Sequence, residues 1–111
     1  MTAAPDQPIA VFITAPSKEE ASRLADMLVE RNLAACVQIL PAMESVYRWQ
    51  GKIERQTEVL LIAKTLAAKF ADLDTEVRAI HSYETPEIVA VPLTALSGPY
   101  RQWLKASVTT D

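Results

Sequence analysis

His81 is the only histidine in the chain, and Tyr83, Glu84 and Glu87 follow within six residues. An imidazole, a phenol and two carboxyl groups so close in sequence are the donors that suit a borderline divalent ion such as copper or zinc, so His81, Glu84 and Glu87 form the candidate metal set. The competing reading is a helix-terminal histidine that only complements the helix dipole. Tyr47 and Trp49 form a second constellation, with Glu58, Lys64 and Tyr83 as further members. Aromatic side chains line ligand clefts and subunit interfaces alike, and Glu58 and Lys64 share a strand face by their even spacing. Cys36, the single cysteine, sits in the apolar run Ala34-Ala35-Cys36-Val37 and reads as a buried structural residue, since no basic neighbour stabilises a thiolate.

No catalytic set accompanies these residues. Serine, histidine and aspartate form no nucleophile motif, and two glycines, Gly51 and Gly98, cannot build a phosphate-cradling loop. The chain is therefore read as a non-enzyme that requires no cofactor.

The elements that must position these residues follow from periodicity. Ile9 to Thr14 is apolar on both faces, as a buried strand is. Ser17-Lys18-Glu19-Glu20 is a capping-box pattern, and Ala21, Leu24, Ala25, Leu28 and Val29 recur at helical spacing, which predicts a helix over 18–31 stopped by Asn32. Residues 33–64 read as one long antiparallel hairpin turning at Gln50-Gly51, which sets Trp49 opposite Lys52, Arg48 opposite Ile53 and Tyr47 opposite Glu54. Pro41 interrupts the first arm and predicts a bend or bulge. Thr65 is expected to cap a second helix carrying Leu66, Phe70, Leu73, Val77 and Ile80 and ending near His81. Glu87 to Leu93 reads as a last strand, and Gly98-Pro99 opens a short terminal helix.

Two βα units around a central hairpin make a split βαβ sandwich of the α+β class, with helices on one face of a four-stranded antiparallel sheet. The outer hairpin carries polar and apolar residues in alternation and cannot be covered by its own domain, so another subunit is expected to cover it. A disordered lead over residues 1–8 and a single domain over 9–111 are expected.

Composition excludes several classes. Hydrophobic residues make up 50% of the 111 and charged residues 23%, enough for a real core. Eleven Lys and Arg against 14 Asp and Glu give a net charge of −3 with no basic cluster, which argues against nucleic acid as a partner. No apolar run approaches the ~20 residues of a membrane span, and the N-terminal residues lack the pattern of a signal peptide, so no membrane partner and a cytoplasmic location are expected. A lone cysteine fits a reducing compartment.

Thr14-Ala15-Pro16, Leu33-Ala34-Ala35-Cys36-Val37, Tyr47-Arg48-Trp49-Gln50-Gly51-Lys52-Ile53-Glu54 and His81-Ser82-Tyr83-Glu84-Thr85-Pro86-Glu87-Ile88 stand in an order and spacing that resembles the CutA family of divalent-cation tolerance proteins. The resemblance spans about residues 9 to 107. It implies a ferredoxin-like, PII-like fold, a homotrimer, and an association with copper and other divalent cations. Family members described as copper binders carry a cysteine before Thr-Ala-Pro and two adjacent histidines. Those positions read Ile13, Ile80 and His81 here, so the resemblance passes on one donor of three and implies weak metal binding. The alternative it implies is a PII-like small-molecule sensor or signalling scaffold with a ligand between subunits.

Overall fold

The apolar run predicted to be buried becomes β1 (Pro8–Ala15), which hydrogen-bonds to a strand on each flank. The computed structural model describes residues 4–109. After β1 come α1 (Lys18–Glu30), β2 (Cys36–Trp49), β3 (Lys52–Leu66), a short 3-10 turn (Ala67–Lys69), α2 (Phe70–Ile80), β4 (Ile88–Pro92) and α3 (Gly98–Val108). The sheet order is β2-β3-β1-β4 and each neighbouring pair is antiparallel. The two βα units thus interleave, as the split βαβ reading requires.

Alternation along β1 and β3 divides the sheet into two unlike faces. Ile9, Val11, Ile13 and Ala15 join Val59, Leu61 and Ala63 under α1 and α2, where Leu24, Leu28, Leu73 and Val77 complete one buried core. Each fully buried aliphatic side chain there contributes about 1.5–3 kcal/mol relative to exposure. The opposite face carries Ala10, Phe12 and Thr14 beside Leu60, Ile62 and Lys64. At one end α3 closes it, with Leu104 and Val108 packed on Leu66 and with Ala35, Leu96 and Tyr100 at the margin. The middle stays uncovered: Leu40 on β2 and Val89 and Val91 on β4 are 46%, 49% and 40% exposed.

The hairpin follows the predicted register. Trp49 pairs with Lys52, Arg48 with Ile53 and Tyr47 with Glu54, across a turn in which Gln50 and Gly51 have φ of 50° and 79°. Two successive positive φ values are the type I′ geometry that matches strand twist, and Gly51 takes its share without a Cβ penalty. The predicted interruption lies between Leu40 and Met43, where Pro41 and Ala42 bulge out and Ala42 reaches φ 60°. None of residues 44–57 is buried.

Helix α1 begins where predicted, with the Ser17 hydroxyl accepting the Glu20 N–H at 3.2 Å, and Asn32 just past its end adopts φ 57°. Only half of the expected capping box forms, because the Glu20 carboxylate accepts from Ser82 instead.

Three expectations are corrected. Thr65 does not cap α2: Thr65 and Leu66 extend β3 opposite Ile9 and Pro8, because β1 offers backbone partners that far and a β-branched residue suits a strand. Helix α2 then starts at Phe70 with no side-chain cap, and the buried Thr65 hydroxyl has no hydrogen-bond partner among the described residues. Nor are residues 4–8 a loose lead. Ala67 N–H donates to Gln7 O, Ala68 N–H to Pro5 O, and the Gln7 amide reaches Leu93 O at 3.0 Å; residues 1–3 of that expected lead lie outside the described residues. Cys36, read as buried, is half-buried at the start of β2.

Candidate functional site

Where α2 ends, the chain turns extended at His81 and crosses the edge of the sheet. Glu20 on the facing α1 accepts the Ser82 N–H at 2.9 Å and so pins the crossing. His81 is pinned too. Its Nδ1 accepts the Tyr83 N–H at 3.0 Å and its Nε2 meets the Thr14 carbonyl at 2.7 Å, so the ring proton sits on Nε2 and donates to Thr14. The Glu20 carboxylate lies 3.3 Å from Nδ1. Burial opposes charge on Glu20, but the Ser82 bond, with help from the Arg23 charge, outweighs it and holds the carboxyl below its ordinary value.

This crossing delivers Tyr83 to the hairpin. The Tyr83 ring leans on His81 at 4.9 Å between centroids, its hydroxyl donates to Glu58 Oε2 at 3.0 Å, and it accepts from Gln56 Nε2 at 3.0 Å. Gln56 Oε1 in turn accepts from the Tyr47 hydroxyl at 2.8 Å. The relay joins both hairpin arms to the 81–87 crossing. Burial and then the Glu58 bond push the Tyr83 phenol up to about 12.

A cavity of about 750 Å³ opens beside this relay, between the hairpin face bearing Ser45, Tyr47, Trp49, Gln56 and Glu58 and the crossing with Tyr83, Glu84 and Glu87. Alternation explains the hairpin side, since the pairs Tyr47–Glu54, Ser45–Gln56 and Met43–Glu58 stack on one face. Tyr47, Trp49, Glu58, Tyr83, Glu84 and Glu87, all candidates from the sequence, therefore meet at one place.

Lys64 does not join them. It shares the sheet face with Glu58 but lies six residues along β3, opposite Cys36, with its ammonium 5.7 Å from the centre of the Tyr100 ring. The Cys36 thiol is 3.7 Å from the Tyr100 hydroxyl, and burial followed by that contact raises the Tyr100 phenol.

The metal set His81, Glu84 and Glu87 does not assemble as three donors. Both imidazole nitrogens are spent inside the protein, whereas a metal needs a free ring lone pair. No three His, Cys, Asp or Glu side chains among the described residues gather closely enough to hold an ion. At the other two positions named with it, Ile13 is fully buried in the core and Ile80 is exposed. A tight centre built on nitrogen or sulfur donors does not fit these residues; the cavity offers carboxyl oxygens.

Two participants escaped the sequence reading. Gln56 carried a signal in its even spacing from Glu58. Glu20 was hidden, because the capping-box pattern already accounted for its carboxylate.

Comparison with known proteins agrees with this architecture. The pattern of the family described as CutA1 divalent ion tolerance protein matches residues 9–107. A divalent-cation tolerance protein CutA from Thermus thermophilus is 46% identical over 95 residues, covering 86% of this chain and 92% of that one. The chloroplastic protein CutA of Arabidopsis thaliana is 44% identical over 99 residues, 89% of this chain but 54% of that protein, so the chain spans about half the length of this plant relative. Among solved structures, one described as the periplasmic divalent cation tolerance protein CutA from Archaeoglobus fulgidus superposes with a TM-score of 0.88 at 46% identity, covering 91% of this chain and 98% of that one. A shared fold, a family pattern over nearly the whole described chain and identities in the forties lead to one assignment: the chain belongs to the CutA1 divalent ion tolerance protein family.

Proposed function

We propose that this protein serves divalent-cation tolerance as a cytoplasmic homotrimer that contacts divalent cations weakly, through the carboxyl groups of the cleft. The observation that carries this reading is that Glu58, Glu84 and Glu87 line one cavity while His81 is committed to the fold. Carboxylates without a fixed ligand cage bind hard or borderline cations reversibly. His81 positions Tyr83 and the crossing; it ligates nothing.

Trimerisation is supported by what the chain leaves uncovered. Leu40, Val89 and Val91 on the open sheet face, with Val46 and Ile53 on the hairpin, form more exposed apolar surface than a lone soluble domain keeps, and β2 and β4 both end the sheet with unpaired edges. A closed ring of three copies covers faces and edges without open-ended growth. The half-buried free thiol of Cys36 suits the reducing cytoplasm, although two similar proteins are described as chloroplastic and periplasmic.

Isothermal titration of the protein with Cu²⁺ and Zn²⁺ tests the cation reading. Dissociation constants of roughly 0.1–1 mM, the range of open oxygen-donor sites, are expected for the wild type. Glu84→Gln combined with Glu87→Gln should weaken them further, and His81→Ala should lower thermal stability without shifting the isotherm. Micromolar or tighter binding that disappears in His81→Ala would overturn the reading.

A further inference from the structure

The cavity beside Tyr83 is larger and more apolar than a bare ion uses. Its volume of about 750 Å³ falls among the sites that enclose small organic molecules. Two kinds of wall enclose it. Tyr47 and Trp49 supply aromatic surface on the hairpin side, and Glu58, Glu84 and Glu87 supply carboxyl groups. No lysine, arginine or histidine lines it among the described residues.

Glu58 is the informative member. It is only 6% exposed, and among the described residues its side chain receives one hydrogen bond, at Oε2 from Tyr83. None of the ion pairs among the described residues includes it. A carboxyl group withdrawn from water without a cationic partner is costly, and the deficit is removed by a ligand that brings both N–H donors and positive charge.

We propose that the cleft binds an organic ammonium: a small amine whose charged head meets Glu58, with Glu84 and Glu87 near it, and whose apolar body lies against Tyr47 and Trp49. A primary ammonium offers three donors to carboxyl oxygens, and aromatic rings attract both a cation and the hydrocarbon that carries it. The same cleft repels an anion. A bare dication leaves the aromatic half of the cavity unused, and a neutral apolar molecule leaves Glu58 unpaired. The proposal deepens the cleft reading given above and rests on that cleft staying open to solvent in the assembled protein.

Trp49 and Trp103 are the only tryptophans, so the Trp103→Phe protein carries a single tryptophan, in the cavity wall, which is excited selectively at about 295 nm. Its fluorescence is titrated with 2-phenylethylammonium, with neutral 2-phenylethanol and with phenylacetate. The expected result is a saturable change with the amine, binding of the alcohol weaker by about tenfold or more, as loss of a charged hydrogen bond implies, and no binding of the acid. Glu58→Gln in that background should weaken the amine by about tenfold and leave the alcohol unmoved. If thermal melting shows that Glu58→Gln fails to fold, Glu84→Gln with Glu87→Gln serves instead, and must weaken the amine more than the alcohol. Equal binding of all three compounds, no saturation by millimolar amine, or amine binding that ignores the carboxyl variants overturns the proposal. Molecular mass and divalent-cation isotherms are read on the same samples. An intact trimer with weak cation binding and no amine binding sinks this inference alone, whereas a monomer sinks the assembly.

Discussion

The sheet body and the outer hairpin are built from similar strand-forming residues and end in opposite states. In the body, β1 and the inner half of β3 have Val11, Ile13, Leu61 and Ala63 fully buried. In the outer hairpin, residues 44–57 contain no buried residue, and Val46 and Ile53 are 52% and 61% exposed. Apolar side chains in the body are stabilised by the chain's own helices. Those of the hairpin find no cover among the described residues. The cleft lies at the seam between the two, held by side chains from both.

Changes in the body should therefore act at any protein concentration. Leu61→Ala removes a fully buried side chain under the helices and should cost about 2–5 kcal/mol, read as a drop in denaturation midpoint relative to wild type that is of the same size in dilute and concentrated samples. A small loss, or one that depends on concentration, would erase the distinction drawn between body and hairpin.

At the seam the effects are intermediate and depend on pH. Tyr83 holds its proton to about 12, above the ordinary 10, so the folded state binds that proton more tightly than the unfolded chain does. The stability this contributes is complete below pH 10 and is lost as pH rises from about 10 to about 12; it amounts to at most about 2–3 kcal/mol. Tyr83→Phe should flatten that part of the stability profile relative to wild type in chemical denaturation at pH 9 through 12. Glu20 behaves in the opposite sense. Its carboxyl is held below the ordinary 4.5, so its contribution is present above that value and disappears as pH falls through the lowered one. Glu20→Gln should lose about 1 kcal/mol at neutral pH and show a shallower acid limb.

The smallest effect is expected at Lys64, away from the cleft. Lys64→Met removes its contact with the Tyr100 ring and should cost no more than about 1 kcal/mol, with no change in cation or amine titrations. A large change in either titration would return Lys64 to the site.

How far the sequence could be read follows the same division. Local rules were enough for the hairpin: Gln50-Gly51 set the turn and with it the register, Pro41 marked the bulge, and even spacing brought Tyr47, Trp49 and Glu58 to the cleft side. Long-range pairing was harder to foresee. Thr65 looked like a helix cap because its neighbours in sequence favour one, yet β1 claimed it as a strand residue from more than fifty positions away. His81 looked available to a metal because nothing nearby in sequence engages an imidazole; its actual partners are the Thr14 carbonyl, 67 residues distant, and a backbone N–H that only the turn at 81–83 directs at it. Glu20 pairs with Ser82 across 62 residues. Interactions that close over such distances leave little trace in spacing.

The proposal that copies of the same chain cover the outer hairpin and the open sheet face is tested most directly by sedimentation equilibrium over a dilution series, with unfolding followed in parallel. The mass should be three times that of the chain, the unfolding midpoint should rise with protein concentration, and Leu40→Glu, on the open face, should dissociate the assembly and remove that concentration dependence. A folded monomer that is stable at micromolar concentration, with Leu40→Glu indistinguishable from wild type, would contradict it.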